Sequence, residues 1–313
     1  LSSAGQEKKI LYIAHNDLAA RKAYDDFNGL TGDAVLLEPY EYMIYDTYAK
    51  STEIEFRRME SLRRIIKGEF KILVVSVSAF IQYLVSPAHI RRSFLKITSG
   101  MITEPQDLAD MLAAMDYDRV SKVEEKGQFA VRGDIIDVFA SNENSPIRVE
   151  FFDNEIDTIR FFDVVTQRTI ESIDDAEVYP VSELCIGEIE EINIRNRIEA
   201  ALKNKIISLK NKKLDTIAEK LEKRVRSDIS KIGHGKFPGM DRYIPFITGR
   251  EYTILDYIDN AVVILSEPDA AVQSVITIAD EHTKMCETVG ELSGLLEETV
   301  NMYMSPDEFY AEI

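Results

Sequence analysis

Two hydrophobic periods divide this chain of 313 residues. Over the first hundred positions, short apolar runs alternate with stretches of helical period. Residues 9–14 (Lys-Ile-Leu-Tyr-Ile-Ala), 34–37 (Ala-Val-Leu-Leu) and 72–75 (Ile-Leu-Val-Val) read as strands buried on both faces, as in a parallel sheet. Asn16 or Asp17 is placed to cap a helix in which Leu18, Ala19, Ala23 and Phe27 recur, with Lys22 breaking the stripe. Thr52 and Glu55 have capping-box spacing before a helix with Met59, Leu62 and Ile66 on one face, ended by Gly68. A further helix is expected through Phe80, Ile81 and Leu84 to Pro87. A βαβαβ order implies a parallel sheet covered by helices.

Near residue 100 the period changes. A short helix over 108–115 precedes two-residue alternation at 128–139, read as one strand, then at 147–152 and 156–164, joined by a turn at Asp153-Asn154-Glu155. This pattern predicts a small antiparallel α+β domain. Beyond Pro180 the chain turns helical and highly charged, with long amphipathic helices expected across 193–232 and a break at Gly233-His234-Gly235. Residues 261–265 predict a last buried strand that returns to the first sheet, so that the small domain is an insertion. A helix over 269–286 and an acidic tail complete the reading. The expected domains are 1–99 (α/β), 100–183 (α+β) and 184–313 (helices plus the return strand).

Charge sharpens the division. The net charge is -18. Residues 1–100 carry 14 basic and 12 acidic groups, residues 101–183 carry 7 and 20, and residues 184–313 carry 16 and 23. A middle segment at -13 repels a phosphate backbone and suits a protein partner, or serves only as a solvated surface. No apolar run approaches the length of a membrane span, and the opening Leu-Ser-Ser-Ala-Gly does not resemble a signal peptide. Cys185 and Cys286 offer neither a disulfide framework nor zinc spacing, which suits a reducing cytoplasm.

Catalytic patterns are missing from the sequence. Nothing matches Gly-x-x-x-x-Gly-Lys-Ser/Thr, and the first strand runs into His15-Asn16-Asp17, without glycines to wrap a phosphate. At the end of the last strand, where a motor protein holds an Asp-Glu pair for magnesium and water, Ser266 precedes a lone Glu267. His15, His89, His234 and His282 are scattered, with no metal or nucleophile spacing. The small domain is more informative. Alternation along 147–152 turns Ile147, Val149 and Phe151 to one side and Arg148, Glu150 and Phe152 to the other. Arg132 faces away from Phe129 and Val131. An aromatic beside arginines on an outward face is the composition of a binding hot spot. The plainer alternative is that each arginine pairs with a carboxylate and Phe152 covers a domain seam.

These residues also carry a family resemblance. Tyr117-Asp118-Arg119-Val120, the run 123–139 (Val-Glu-Glu-Lys-Gly-Gln-Phe-Ala-Val-Arg-Gly-Asp-Ile-Ile-Asp-Val-Phe) and the run 147–157 resemble domain 2 of UvrB and, still more, the matching domain of transcription-repair coupling factors. Residues 162–168, 237–243 and 255–257 continue the likeness, as do 53–62 and 76–87. The resemblance implies a fragment of a longer chain: a RecA/Rossmann-like parallel-sheet domain without a working phosphate loop, the inserted antiparallel domain and a helical segment. It also implies a non-catalytic adaptor that recruits UvrA of nucleotide excision repair to stalled RNA polymerase. By motif, Arg132, Arg148 and Phe152 are the UvrA-facing positions, and Ser266 and Glu267 the degenerate acidic motif. ATP and magnesium, and contacts to RNA polymerase and DNA, are expected only in absent parts of the parent, whose C-terminal domain is expected to mask the UvrA surface. The alternative is a UvrB-type ATP-dependent helicase or DNA-damage-binding subunit. Against it, only Tyr40, Tyr42, Tyr45 and Tyr48 stand where UvrB carries a long aromatic hairpin, and these tyrosines are expected to pack or line a loop, with stacking on nucleic-acid bases as the alternative.

Overall fold

A computed structural model of the chain describes residues 8–44, 52–186, 188–233 and 235–313. The apolar runs of the first hundred residues become strands of one parallel sheet. β1 (Lys9–Ala14) leads into α1 (Asp17–Thr31), whose N-cap is Asn16: its side chain accepts from the Ala19 backbone N–H at 2.8 Å. β2 (Ala34–Leu37), α2 (Thr52–Lys67) and β3 (Ile72–Ser76) follow. Because side chains alternate along a buried strand, each strand feeds two cores. Leu11, Ile13, Leu73 and Val75 pack with Met59 and Leu62 of α2. Ala14, Ile72 and Val74 pack with Ala20 of α1 on the opposite face.

Three local expectations differ. Leu18 does not join the α1 stripe and is 80% exposed; Ala20 packs with Ala23, Tyr24 and Phe27 against the sheet, and Leu18, two positions earlier, falls on the other side of the helix. Pro87 does not end a helix. The segment after β3 is a single turn, α3 (Val77–Phe80), and Pro87 opens α4 (Pro87–Ser93) behind the Ser86 cap, the first-turn position where its missing N–H is no loss. Thr52, expected as the N-cap of a capping box with Glu55, is instead the first helical residue of α2, and the residue before it lies outside the described residues.

β4 (Leu95–Thr98) and α5 (Pro105–Ala114) open the second sheet region. β5 (Asp118–Arg119), β6 (Gln128–Arg132), β7 (Ile135–Phe139), β8 (Ile147–Phe152), β9 (Glu155–Phe162) and β10 (Thr169–Ile173) lie in the order β10-β9-β8-β7-β6-β5. All neighbours are antiparallel except β5 and β6. The single strand expected over 128–139 is a hairpin: Gly133, at φ +60, and Asp134 turn the chain between β6 and β7. β11 (Asp175–Val178) then pairs with β4. Leu108 and Leu112 of α5 pack on Phe129, Ile136, Ile147 and Val149.

The charged helical region is an antiparallel pair. α6 (Glu188–Asn211) and α7 (Asp215–Ile229) join through Lys212-Lys213-Leu214 and bury Ile198, Leu202 and Leu209 against Ala218, Leu221 and Val225. α8 (Ile244–Thr248) leads to β12 (Ala261–Leu265), which returns parallel to β1 and gives the sheet order β12-β1-β3-β2. The return matches the expectation; the expected burial does not hold. β12 is an edge strand, with Val262, Val263 and Ile264 each 41–43% exposed. α9 (Pro268–Ser293) runs past the expected end at residue 286, and the acidic tail folds into α10 (Glu297–Val300) and α11 (Pro306–Glu312). Among the described residues no helix is long and apolar enough to cross a membrane.

Candidate docking face

The outward side of the six-stranded sheet collects the residues singled out in the small domain. Cross-strand partners point to the same side of a sheet. The register Ala130↔Asp137↔Arg148↔Arg160 makes one row, and Arg132↔Ile135↔Glu150↔Thr158 makes the next. Phe152 follows by alternation along β8. The opposite side carries Phe129, Ile136, Ile147 and Val149 into the core. Arg132, Arg148 and Phe152 therefore share one face, on two strands separated by β7.

Their environments differ. Phe152 is 77% exposed and covers no seam. Arg132 is exposed, and its Nε and Nη2 donate to the Ser121 carbonyl at 3.3 and 3.2 Å. Arg148 follows the plainer expectation of a carboxylate partner: its Nε and Nη2 donate to the two Asp137 oxygens at 2.6 and 2.8 Å. That hydrogen bond raises the Arg148 pKa above its usual value, so the guanidinium stays charged throughout the working range. Nη2 also donates to Gln167 Oε1 at 3.0 Å, and the guanidinium lies 4.4 Å from the Phe162 ring centre. Its side chain is only 15% exposed. Arg148 is thus fixed by three neighbours, while Phe152 is presented freely.

Asp137, Gln167 and Phe162 were missed in the sequence. Asp137 is 2% exposed, and its role depends on the hairpin that a one-strand reading of 128–139 concealed. Gln167 belongs to the turn between β9 and β10. Asp163 Oδ1 accepts there from the Thr166 N–H and Oγ1, each at 2.7 Å, and this holds the Asp163 pKa below the usual carboxylate range. Gln167 sits at φ +60 with its side chain bonded to the Val164 carbonyl at 2.8 Å. On the same face Glu150 pairs with Arg160 and accepts from Thr158 at 3.0 Å.

A family model described as the UvrB interaction domain matches residues 95–184, the stretch from β4 to just past β11. This part of the chain is a UvrB interaction domain. The relatives agree with the resemblance read from the sequence, to the UvrB-like N-terminal region of transcription-repair coupling factors. The chain is 32% identical to the transcription-repair-coupling factor of Bacillus subtilis over 265 residues, which is 83% of this chain and 22% of that protein. It is 28% identical to the UvrABC system protein B of Idiomarina loihiensis over 302 residues, covering 86% of this chain and 43% of the relative. The protein of that name from Pseudothermotoga lettingae is also 28% identical, over 72% of this chain and 36% of its own length. The chain therefore spans about a fifth of the first relative and under half of the others.

The second candidate position lies outside the UvrB interaction domain, at the C-terminal edge of the parallel sheet. Ser266 continues β12, its N–H donating to the Ile13 carbonyl at 2.9 Å. Glu267 caps α9 at φ 49, with Oε1 3.5 Å from His15 Nδ1. Asp17 accepts from Ser78 Oγ at 2.8 Å. The first strand thus ends in a carboxylate already bonded and a histidine facing Glu267. Among the described residues no group of three or more His, Cys, Asp or Glu is placed to hold a metal. His282 is buried beside Cys286 at 3.4 Å, and both cysteines are free and buried. His234 lies outside the described residues. Tyr40 and Tyr42 pack against each other at 5.5 Å, and Tyr42 against Tyr303 at 5.1 Å; Tyr45 and Tyr48 lie outside the described residues.

Proposed function

We propose that this chain is an adaptor of nucleotide excision repair that recruits UvrA through the outward face of its UvrB interaction domain. The observation that carries the reading is an exposed Phe152 beside a held Arg148, on a face shared with Arg132, within the residues that match the family. An aromatic anchor costs little entropy to dock, and a fixed arginine has already lost its rotamer freedom before the partner arrives. In this reading residues 1–99 and 184–313 form a RecA-like frame with a degenerate nucleotide edge at Ser266 and Glu267, and residues 100–183 are the docking domain. The chain itself does no chemistry. ATP, magnesium, DNA translocation and RNA polymerase contact belong to further parts of a parent chain, as does a C-terminal domain that masks the docking face, and the complex works in the cytoplasm.

Titration of the chain with purified UvrA tests this. Phe152→Ala and Arg132→Ala remove exposed groups and are expected to weaken binding by roughly 2 kcal/mol each with melting unchanged. Arg148→Ala is the less clean variant, because it leaves Asp137 buried without its cation, and it is interpreted only beside its own melting curve. Wild-type chain that does not bind UvrA, or binding indifferent to Phe152 and Arg132, ends the reading. The second reading, an ATP-dependent UvrB-type subunit, draws on the likeness to UvrABC system protein B. Its test is ATP turnover by a longer chain that includes the sequence upstream, and turnover no faster than background removes it.

A further inference from the structure

The α6–α7 hairpin reverses the charge of the molecule. Residues 203–226 hold nine basic and three acidic side chains, net +6, within a chain at -18. Lys203, Lys210, Lys212, Lys213, Lys220 and Lys223 are exposed, and none of them is in an ion pair among the described residues. The other three are engaged: Lys205 lies 3.4 Å from Glu297, Arg226 lies 2.9 Å from Glu222 one helical turn back, and Arg224 donates to the Gly294 carbonyl at 2.6 Å. Between Lys203 and Asp215 the hairpin has no acidic residue. Lys203, Ile207 and Lys210 fall on one stripe of α6, where Ile207 is 52% exposed, and Lys220 and Lys223 lie one turn apart on α7. At the tip, Lys213 takes the left-handed conformation at φ 59 and turns the chain into α7.

Helix electrostatics explain part of this. Cations at the C-terminal end of α6 are favourable near its dipole, which accounts for Lys210, Lys212 and Lys213. They do not account for Lys203, a helical interior position, or for Lys220 and Lys223, which repel each other at their spacing. Six uncompensated cations on one helical pair raise the local anion concentration, and beyond a Debye length of about 8 Å the acid elsewhere on the chain no longer cancels them.

We propose that the α6–α7 hairpin is a contact for duplex nucleic acid, with its lysines on the phosphate backbone. Charge complementarity chooses the occupant: exposed ammonium groups spaced along a rod match a regular line of phosphates and require no base-specific chemistry. The basic part of α6, from Lys203 to Lys210, is about 11 Å long, the span of roughly three base pairs. The lysines lie on α6 and α7, elements other than the β8 strand that carries Phe152 and Arg148. This proposal does not rest on the UvrA reading.

The test is fluorescence anisotropy of a labelled duplex of roughly 20 base pairs, titrated with the full chain from low to physiological salt. Wild type is expected to bind at low salt and to weaken steeply as salt rises. Lys210→Glu/Lys212→Glu/Lys213→Glu should weaken low-salt binding by roughly tenfold or more and flatten the salt slope by about 0.9 for each phosphate no longer neutralised. The milder Lys212→Gln/Lys213→Gln should fall between, and Phe152→Ala should bind the duplex as wild type does. All these positions are exposed, and a melting curve checks each variant. Absence of binding at the lowest salt, or a triple variant that binds unchanged, overturns the proposal. So does displacement of the duplex by poly-glutamate at equal charge, which would mark the hairpin as a site for an acidic polypeptide.

Discussion

Arg148 uses Nε and Nη2 on Asp137 and Gln167, which leaves the Nη1 edge to meet a partner. An arginine held on one edge presents the other in a single orientation, so under the proposed docking Asp137 is expected to act through Arg148. A double-mutant cycle on UvrA affinity measures this. Asp137→Asn should weaken binding in the wild-type background and add little once Arg148 is already alanine. Full additivity would show that Asp137 does not act through Arg148. Gln167→Ala, in the turn, probes the same contact from the side that does not burden the core. The alternation of 147–152 was enough to place Arg148 and Phe152 on one face. It could not reveal Asp137, which comes from another strand and is polar at a position buried on both sides.

At the level of elements, a buried ion pair ties α2 to the chain just beyond β11. Arg58 is 2% exposed; its Nη2 and Nε donate to the Glu183 oxygens at 2.7 and 3.0 Å, and its Nη1 bonds the Glu38 carbonyl. Burial opposes the charge on Arg58, and Glu183 more than restores it, leaving the pKa above its usual value. Arg58→Ala strands the Glu183 carboxylate and should cost about 3–5 kcal/mol in urea unfolding. Replacing both partners by apolar residues should cost far less than that. The apolar stripe of Met59, Leu62 and Ile66 leaves Arg58 out, because period alone assigns charged residues to solvent. Residues 128–139 failed for a related reason: Arg132-Gly133-Asp134 interrupts the alternation briefly, and only the pairing of β6 with β7 shows that the chain reverses there.

Across the whole molecule, three regions of chain meet at Asp116. It follows α5 at φ 65, accepts from the Cys185 thiol at 3.8 Å, and feels the attraction of Lys236, which is bonded to Glu55 of α2. Burial pushes the Asp116 carboxyl up to about 6, with Lys236 opposing the rise. An acid whose pKa is raised on folding favours the folded state below its unfolded pKa, near 4, and loses that contribution as pH rises through about 6. Asp116→Asn should therefore stabilise the chain by roughly 1–3 kcal/mol at pH near 8, with the gain shrinking towards pH 4. Thermal melting across that range measures it, and a gain independent of pH would assign the effect to asparagine's tolerance of positive φ instead. Charge counted over hundred-residue windows gave the last third a net of -7 and so hid the basic hairpin, which nine closely spaced cations create inside an otherwise acidic segment.

Local and periodic information was sufficient for much of this protein. The βαβαβ order, the Asn16 cap, the change to antiparallel strands near residue 100, the return of 261–265 to the first sheet and the shared face of Arg148 and Phe152 all follow from side-chain period and turn chemistry, which act over a few residues. Tertiary structure alone decided that Leu18 stays in solvent while Ala20 packs, that β12 is a half-exposed edge, that Arg148 is held by Asp137 and Gln167 while Phe152 is free, and that Glu267 meets His15. Each of these depends on which distant segment arrives beside a residue and how closely, and that is set by the packing of the whole chain rather than by the sequence on either side.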